Sequence, residues 1–184
     1  MNGRLVPLLL ALAWIGAAEE GTGPRFLRPA DQSVVPVAPV SIVAKGKALK
    51  LDGKPLAAAR PGPEALTATI TPSPGLHELE VDGVRIRFFA GAGAPSGWLE
   101  FRPHPPGGAA CGTCHAVVQG AWEIKGGVTG DRCMECHDAE AFVKVHSHKT
   151  EVLIDCQLCH SPHGSTVRKH LKMSKEAACK QCHA

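Results

Sequence analysis

Tyrosine is missing from this chain, and phenylalanine, tryptophan and tyrosine together make up only 4% of it. A large aromatic core is therefore excluded, and no phenol is available for catalysis. Cysteine is absent before Cys111, so the N-terminal half has neither disulfides nor a cysteine to take a lipid. Charge of one sign is scarce as well: the formal balance is +3 with the basic residues spread out, too little for a nucleic-acid footprint. The one long apolar run, Leu5 to Ile15, contains Pro7 and falls short of the roughly 20 residues that span a bilayer.

That run follows Arg4 and ends in the small residues Gly16, Ala17 and Ala18, the pattern of a secretory signal peptide over residues 1–18. Cleavage would leave no membrane span. It would also place the cysteines in an oxidising compartment, periplasmic or extracellular, where disulfides are the default. Yet each of the eight cysteines sits in a Cys-x-x-Cys pair.

Composition divides the rest. From Phe26 to Phe101 there is one histidine, His77, whereas the stretch from Pro103 holds every cysteine and the other nine histidines. The Pro- and Gly-rich segment Pro103-His104-Pro105-Pro106-Gly107-Gly108 suits a linker, giving a β domain over 19–102 and a second domain over 103–184.

The first of these reads as short strands. Asp82-Gly83 favours a two-residue hairpin turn joining His77–Val81 to Val84–Phe88, with Leu79, Val81, Ile86 and Phe88 alternating with charged neighbours. Asp52-Gly53 does the same for Ala48–Leu51 and Pro55-Leu56. Val40–Ala44 and Leu66–Ile70 are further strands, so a small antiparallel β-sandwich is expected. His77 is read as a strand-surface residue.

The second half carries Cys111-Gly-Thr-Cys114-His115, Cys133-Met-Glu-Cys136-His137, Cys156-Gln-Leu-Cys159-His160 and Cys179-Lys-Gln-Cys182-His183, each beginning 22 or 23 residues after the last. Two thiols add across the vinyl groups of a haem, and the next residue sets an imidazole on one face of the iron. CxxCH is accordingly the signature of c-type haem attachment. Spacing alone would also admit zinc, but a four-thiolate zinc site is closed without any histidine. Four histidines in four such positions would arise by chance on the order of once in 10⁵. Disulfides leave those histidines equally unexplained. The expected cofactors are four covalent haems c, with His115, His137, His160 and His183 as proximal ligands.

His104, His146, His148, His163 and His170 remain in this half. Four irons need four distal ligands; Met134 lies in a motif loop too short to reach a distal face, and Met173 is the methionine alternative. The segment Val145-His146-Ser147-His148, then Cys156–His160, Ser161-Pro162-His163-Gly164-Ser165, Leu171 and Cys179–His183 resembles multihaem cytochromes with the doubled CxxCH motif, related to the small cytochromes c3 and c7. That resemblance implies distal roles for His148 or His146 and for His163. His104 precedes Cys111 by about the interval at which His148 precedes Cys156, so residues 104–137 resemble an earlier, eroded unit with Val117-Val118 in place of Pro-His. His146 then supplies the missing ligand, and the distal set is His104, His146, His148 and His163. His170, among Arg168, Lys169 and Lys172, is assigned to solvent or to the support of a ligand. The opening Pro29-Ala30-Asp31-Gln32-Ser33-Val34 resembles bacterial immunoglobulin-like domains.

Together these give a mixed fold: an immunoglobulin-like sandwich, then a loop-rich tetrahaem domain with short helical turns at the motifs. Trp122 and Phe142 are the only aromatics after Phe101, so the macrocycles would serve as its core. Bis-histidine ligation implies low potentials and closed irons. The implied role is an electron carrier, not an enzyme, that relays electrons between redox partner proteins. The alternatives are a filament of self-associated subunits and a multihaem reductase with one open iron. No CxxCK motif speaks for the reductase.

Overall fold

The computed structural model of the chain describes residues 23–105, 110–137 and 154–183. The expected leader, half of the Pro/Gly segment, Phe142, His146 and His148 lie outside them. The described residues are mostly short strands with a few single-turn helices, and no barrel closes.

Two sheets fill the first part. One runs β1 (Arg25–Arg28), β3 (Val40–Lys45), β7 (Ala65–Ile70), β6 (Ala59–Gly62), all antiparallel. The other runs β10 (Leu99–Glu100), β2 (Ser33–Val35), β9 (Val84–Ala90), β8 (Gly75–Val81), β4 (Leu49–Leu51), β5 (Lys54–Leu56). Its pairings are antiparallel except that β2 lies parallel to both β9 and β10, a departure from the all-antiparallel expectation. Local turns cannot make such pairs, because parallel neighbours must be reached by a crossover.

Both Asp-Gly turns form as read. Asp52 and Gly53 have φ of 50° and 75°, and Asp82 and Gly83 of 46° and 90°. Positive φ at both central positions is the turn whose twist matches a hairpin's strands.

Alternation then builds one core. Leu79 and Val81 from β8, Ile86, Phe88 and Ala90 from β9, and Leu49 and Val35 meet Val40, Ile42, Ala44, Leu66 and Ile70 of the other sheet. Burying each large apolar side chain is worth about 1.5–3 kcal/mol, and Phe101 closes the end of the cluster.

His77 shares the inward face with Leu79 and Val81 and is only 8% exposed, so it is not a surface residue. Its Nδ1 donates to Asp52 Oδ2 at 2.8 Å and its Nε2 to the Ser73 carbonyl at 2.8 Å. Its ring lies beside Phe88, centroids 5.2 Å apart. A buried polar group is tolerated here because both of its nitrogens are bonded.

Two joints tie this part to the rest. β11 (Arg102–Pro103) pairs with β14 (Gly164–Ser165), and Arg102 donates to the Thr166 carbonyl at 3.2 Å. Elsewhere Trp122 packs on Gly62 and its indole Nε1 donates to the Pro63 carbonyl at 2.8 Å.

Candidate haem-binding site

All four CxxCH segments adopt one local form. In each, the backbone N–H of the histidine donates to the carbonyl of the first cysteine: His115 to Cys111, His137 to Cys133 at 3.0 Å, His160 to Cys156 at 2.9 Å and His183 to Cys179 at 3.0 Å. One closed turn puts positions i, i+3 and i+4 on the same side. Both sulfurs and the imidazole therefore project together.

The turns are held differently. Cys111–Cys114 forms α1 and runs into a hairpin, β12 (His115–Val118) and β13 (Ala121–Ile124). Its turn is Gln119-Gly120, with φ of 50° and 81°, a hairpin signal that stands directly after Val117-Val118. Cys133 lies in α2 (Thr129–Met134), whose Gly130 N–H donates to the Ile154 carbonyl at 2.7 Å. A Cβ on Gly130 would meet that oxygen at 2.6 Å. This close approach sets α2 against the 3-10 turn Cys156–Leu158, where Asp155 caps the Gln157 N–H at 3.1 Å. Cys179 sits in α3 (Lys175–Lys180), capped by Ser174 through the Ala177 N–H at 3.2 Å.

None of the eight cysteines is in a disulfide, and none is buried. Burial relative to solvent and a hydrogen bond to Cys156 push the Cys133 thiol up to about 11, so the second and third motifs meet at their leading thiols. Among the described residues, no three or more of His, Cys, Asp and Glu gather as a metal cage.

The histidines come together in a definite pattern. His115 lies with its ring 8° from parallel to that of His163, centroids 6.1 Å apart. His137 relates to His104 in the same way, at 15° and 5.9 Å. Ring contact alone would accept such spacing. What distinguishes these pairs is their membership: each joins the last residue of a motif to a histidine outside any motif. Metal–imidazole bonds of about 2 Å on either side of one ion put the ring centres roughly 6 Å apart, a separation that both pairs share.

Neighbouring groups orient the rings. His104 Nδ1 donates to the Pro162 carbonyl at 3.1 Å and His160 Nδ1 to the Lys169 carbonyl at 2.8 Å. Such a bond fixes the tautomer and leaves Nε2 to the metal. Burial first, then the positive neighbours His115, Arg28, Arg25 and His104, push His163 down to about 4, which keeps it in the neutral form that a ligand requires. His170 is half-buried rather than solvated. Its ring stands edge-on to His104 at 5.1 Å, and burial followed by the charges of His104, His160 and Arg102 lowers its pKa.

The apolar supply matches a cofactor core. Every buried hydrophobic side chain among the described residues belongs to the part up to Phe101. Beyond it, Val117, Val118, Val128, Ile154 and Leu158 are all exposed, though they flank the motif turns. These residues fit a covalent macrocycle, which would meet two thiols and an imidazole at each turn and aliphatic edges at the first three.

No helix of the described residues is long and apolar enough to cross a membrane. Searches of curated proteins and of solved structures returned no match. A family model described as "Doubled CXXCH motif" matches residues 146–184. That segment therefore carries a feature of multihaem c-type cytochromes, which points to covalent haem c, to iron binding and to the carrying of electrons.

Proposed function

We propose that the chain is an exported tetrahaem electron carrier, similar to the cytochromes c3 and c7, with an immunoglobulin-like β domain over 19–102 in front of the haem domain over 103–184. The supporting observation is the pair of imidazole couples, His115 with His163 and His137 with His104. In this reading His163 caps the iron of the first motif, and His104, despite lying next to that motif, caps the iron of the second. His146 and His148 remain for the irons held by His160 and His183.

Haem, when bound, supplies a one-electron couple. The chain's own residues would hold each ring by two sulfurs, and carbonyl partners orient the imidazoles of His104 and His160. Histidine on both sides keeps the potential below that of a methionine-ligated iron and leaves no face open to substrate. An electron carrier needs both properties, whereas a reductase needs one open iron. The small volume available to about 80 residues, with a radius of gyration near 12 Å, would keep four macrocycles close enough for electrons to pass between them.

Intact-mass spectrometry of the exported protein should find four haem additions. Electron paramagnetic resonance of the oxidised form should find low-spin bis-imidazole iron only. A substantial high-spin signal that binds carbon monoxide would favour the reductase, and an unmodified mass would end the redox reading altogether.

A further inference from the structure

Arg28 stands at the end of β1, the edge strand beside β3, and is only 7% exposed. Its Nε is fully buried and has no hydrogen-bond partner. No carboxylate among the described residues pairs with it. A guanidinium nitrogen held out of water without an acceptor is costly, and buried charges are ordinarily paired. Arginine stays charged in proteins, so deprotonation cannot relieve that cost.

Its surroundings indicate where an anion would come from. Arg28 lies within electrostatic range of Cys111, the first thiol of the first motif, and of His163, the partner of His115. Arg25, on the same strand, reaches His163 as well. The positive end of this strand thus borders the place where the first macrocycle would sit, with Trp122 edge-on to His115 at 5.8 Å. A haem c brings two propionate carboxylates, and the planar fork of a guanidinium suits a carboxylate better than any other cation in the chain does.

We propose that Arg28, a residue of the β domain, is the partner of a propionate on the haem attached at Cys111 and Cys114, and thereby sets that haem's reduction potential. The proposal rests on the haem reading above. Arg28 is a positioning residue that touches the cofactor's carboxylate, not its iron. By neutralising that carboxylate it favours the reduced form, which carries one positive charge fewer. The first haem is therefore held higher in potential than it would be beside a free propionate, and the sandwich becomes part of the electron path's energetics.

The test is potentiometry on the holoprotein, with spectra of the four haems resolved, for Arg28→Gln and Arg28→Lys. Arg28→Gln should change the reduced-to-oxidised ratio of one haem about tenfold at fixed potential, a fall of about 59 mV for a one-electron couple. Arg28→Lys should restore most of it. Unchanged potentials in an Arg28→Gln protein that still carries four haems would overturn the role of Arg28 alone, whereas a mass without haem would overturn the function too. Should Arg28→Gln not fold, redox-difference infrared spectra of the native protein with ¹³C-labelled propionates decide the matter. One carboxylate band set apart from the solvent-exposed ones supports the pairing, and propionates that all titrate as free carboxylates refute it.

Discussion

Trp122, on the hairpin that follows the first CxxCH turn, gives its indole N–H to the carbonyl of Pro63 at 2.8 Å, and so fastens that turn to the chain just after β6. Trp122→Phe keeps a ring against Gly62 but leaves the carbonyl without its donor. A loss of about 1 kcal/mol is expected, read as a lower urea midpoint with an unchanged slope.

The second joint is more demanding. Gly164 has φ of +121°, and a Cβ there would meet the Arg102 carbonyl oxygen at 2.6 Å. Gly164→Ala should cost about 1–3 kcal/mol through backbone strain and displace the neighbouring His163. Thermal melts would register the first effect, and a new high-spin signal in paramagnetic resonance the second.

The axial pairs give a sharper contrast. His163→Ala should open the iron at His115, and His104→Ala the iron at His137, each producing one high-spin haem that binds carbon monoxide. A double variant should produce two. If His104→Ala instead opened the iron of the first motif, the crossed assignment would be wrong.

The imidazole of His77 sits between Asp52 and Ser73. Burial alone would lower its pKa, but the hydrogen bonds to the Ser73 carbonyl and to Asp52 outweigh it, and the net shift is upward from 6.5. A pKa raised in the folded state means that the folded protein holds this proton more tightly than the unfolded chain does. The stabilisation is complete below about pH 6.5 and lost as pH rises through the folded value. Asp52→Asn should flatten that part of the stability–pH profile, measured by denaturant titration across the neutral range.

Without haem the two parts should separate. Protein made in a host lacking the attachment machinery should keep slow amide exchange over β2, β3, β7, β8 and β9, where the core is aliphatic, and exchange rapidly over residues 110–137 and 154–183. Native-like protection of the motif turns in that material would show that the second part folds without macrocycles.

How much of this was legible follows from where each signal lives in the chain. The Asp52-Gly53 and Asp82-Gly83 turns and the alternating strands around them are local, and they were readable. The one-turn form of all four motifs was readable too, because cysteine and histidine at i, i+3 and i+4 leave little choice. The parallel placement of Ser33–Val35 beside Val84–Ala90 was not, since no local pattern encodes a pairing across that separation. His77 could have been placed inside by its register with Leu79 and Val81, but its polarity argued the other way. Gln119-Gly120 was hidden behind a likeness to doubled units, which drew attention to the residues missing at 117 and 118 and away from the turn beside them. Arg28 gave no sign, because a lone arginine at the end of a strand is ordinarily a solvated one.

The pairing of Arg102–Pro103 with Gly164–Ser165 also fixes a timetable. Synthesis proceeds from the N-terminus at roughly 5–20 residues per second, so the strand at 102–103 is made several seconds before its mate exists. The core through Phe101 can condense in that interval, but the clasp, and the imidazole of His163 beside it, arrive about 60 residues later. A polypeptide cut short between His115 and Gly164 would carry a complete first motif without the strand that pairs with Arg102–Pro103.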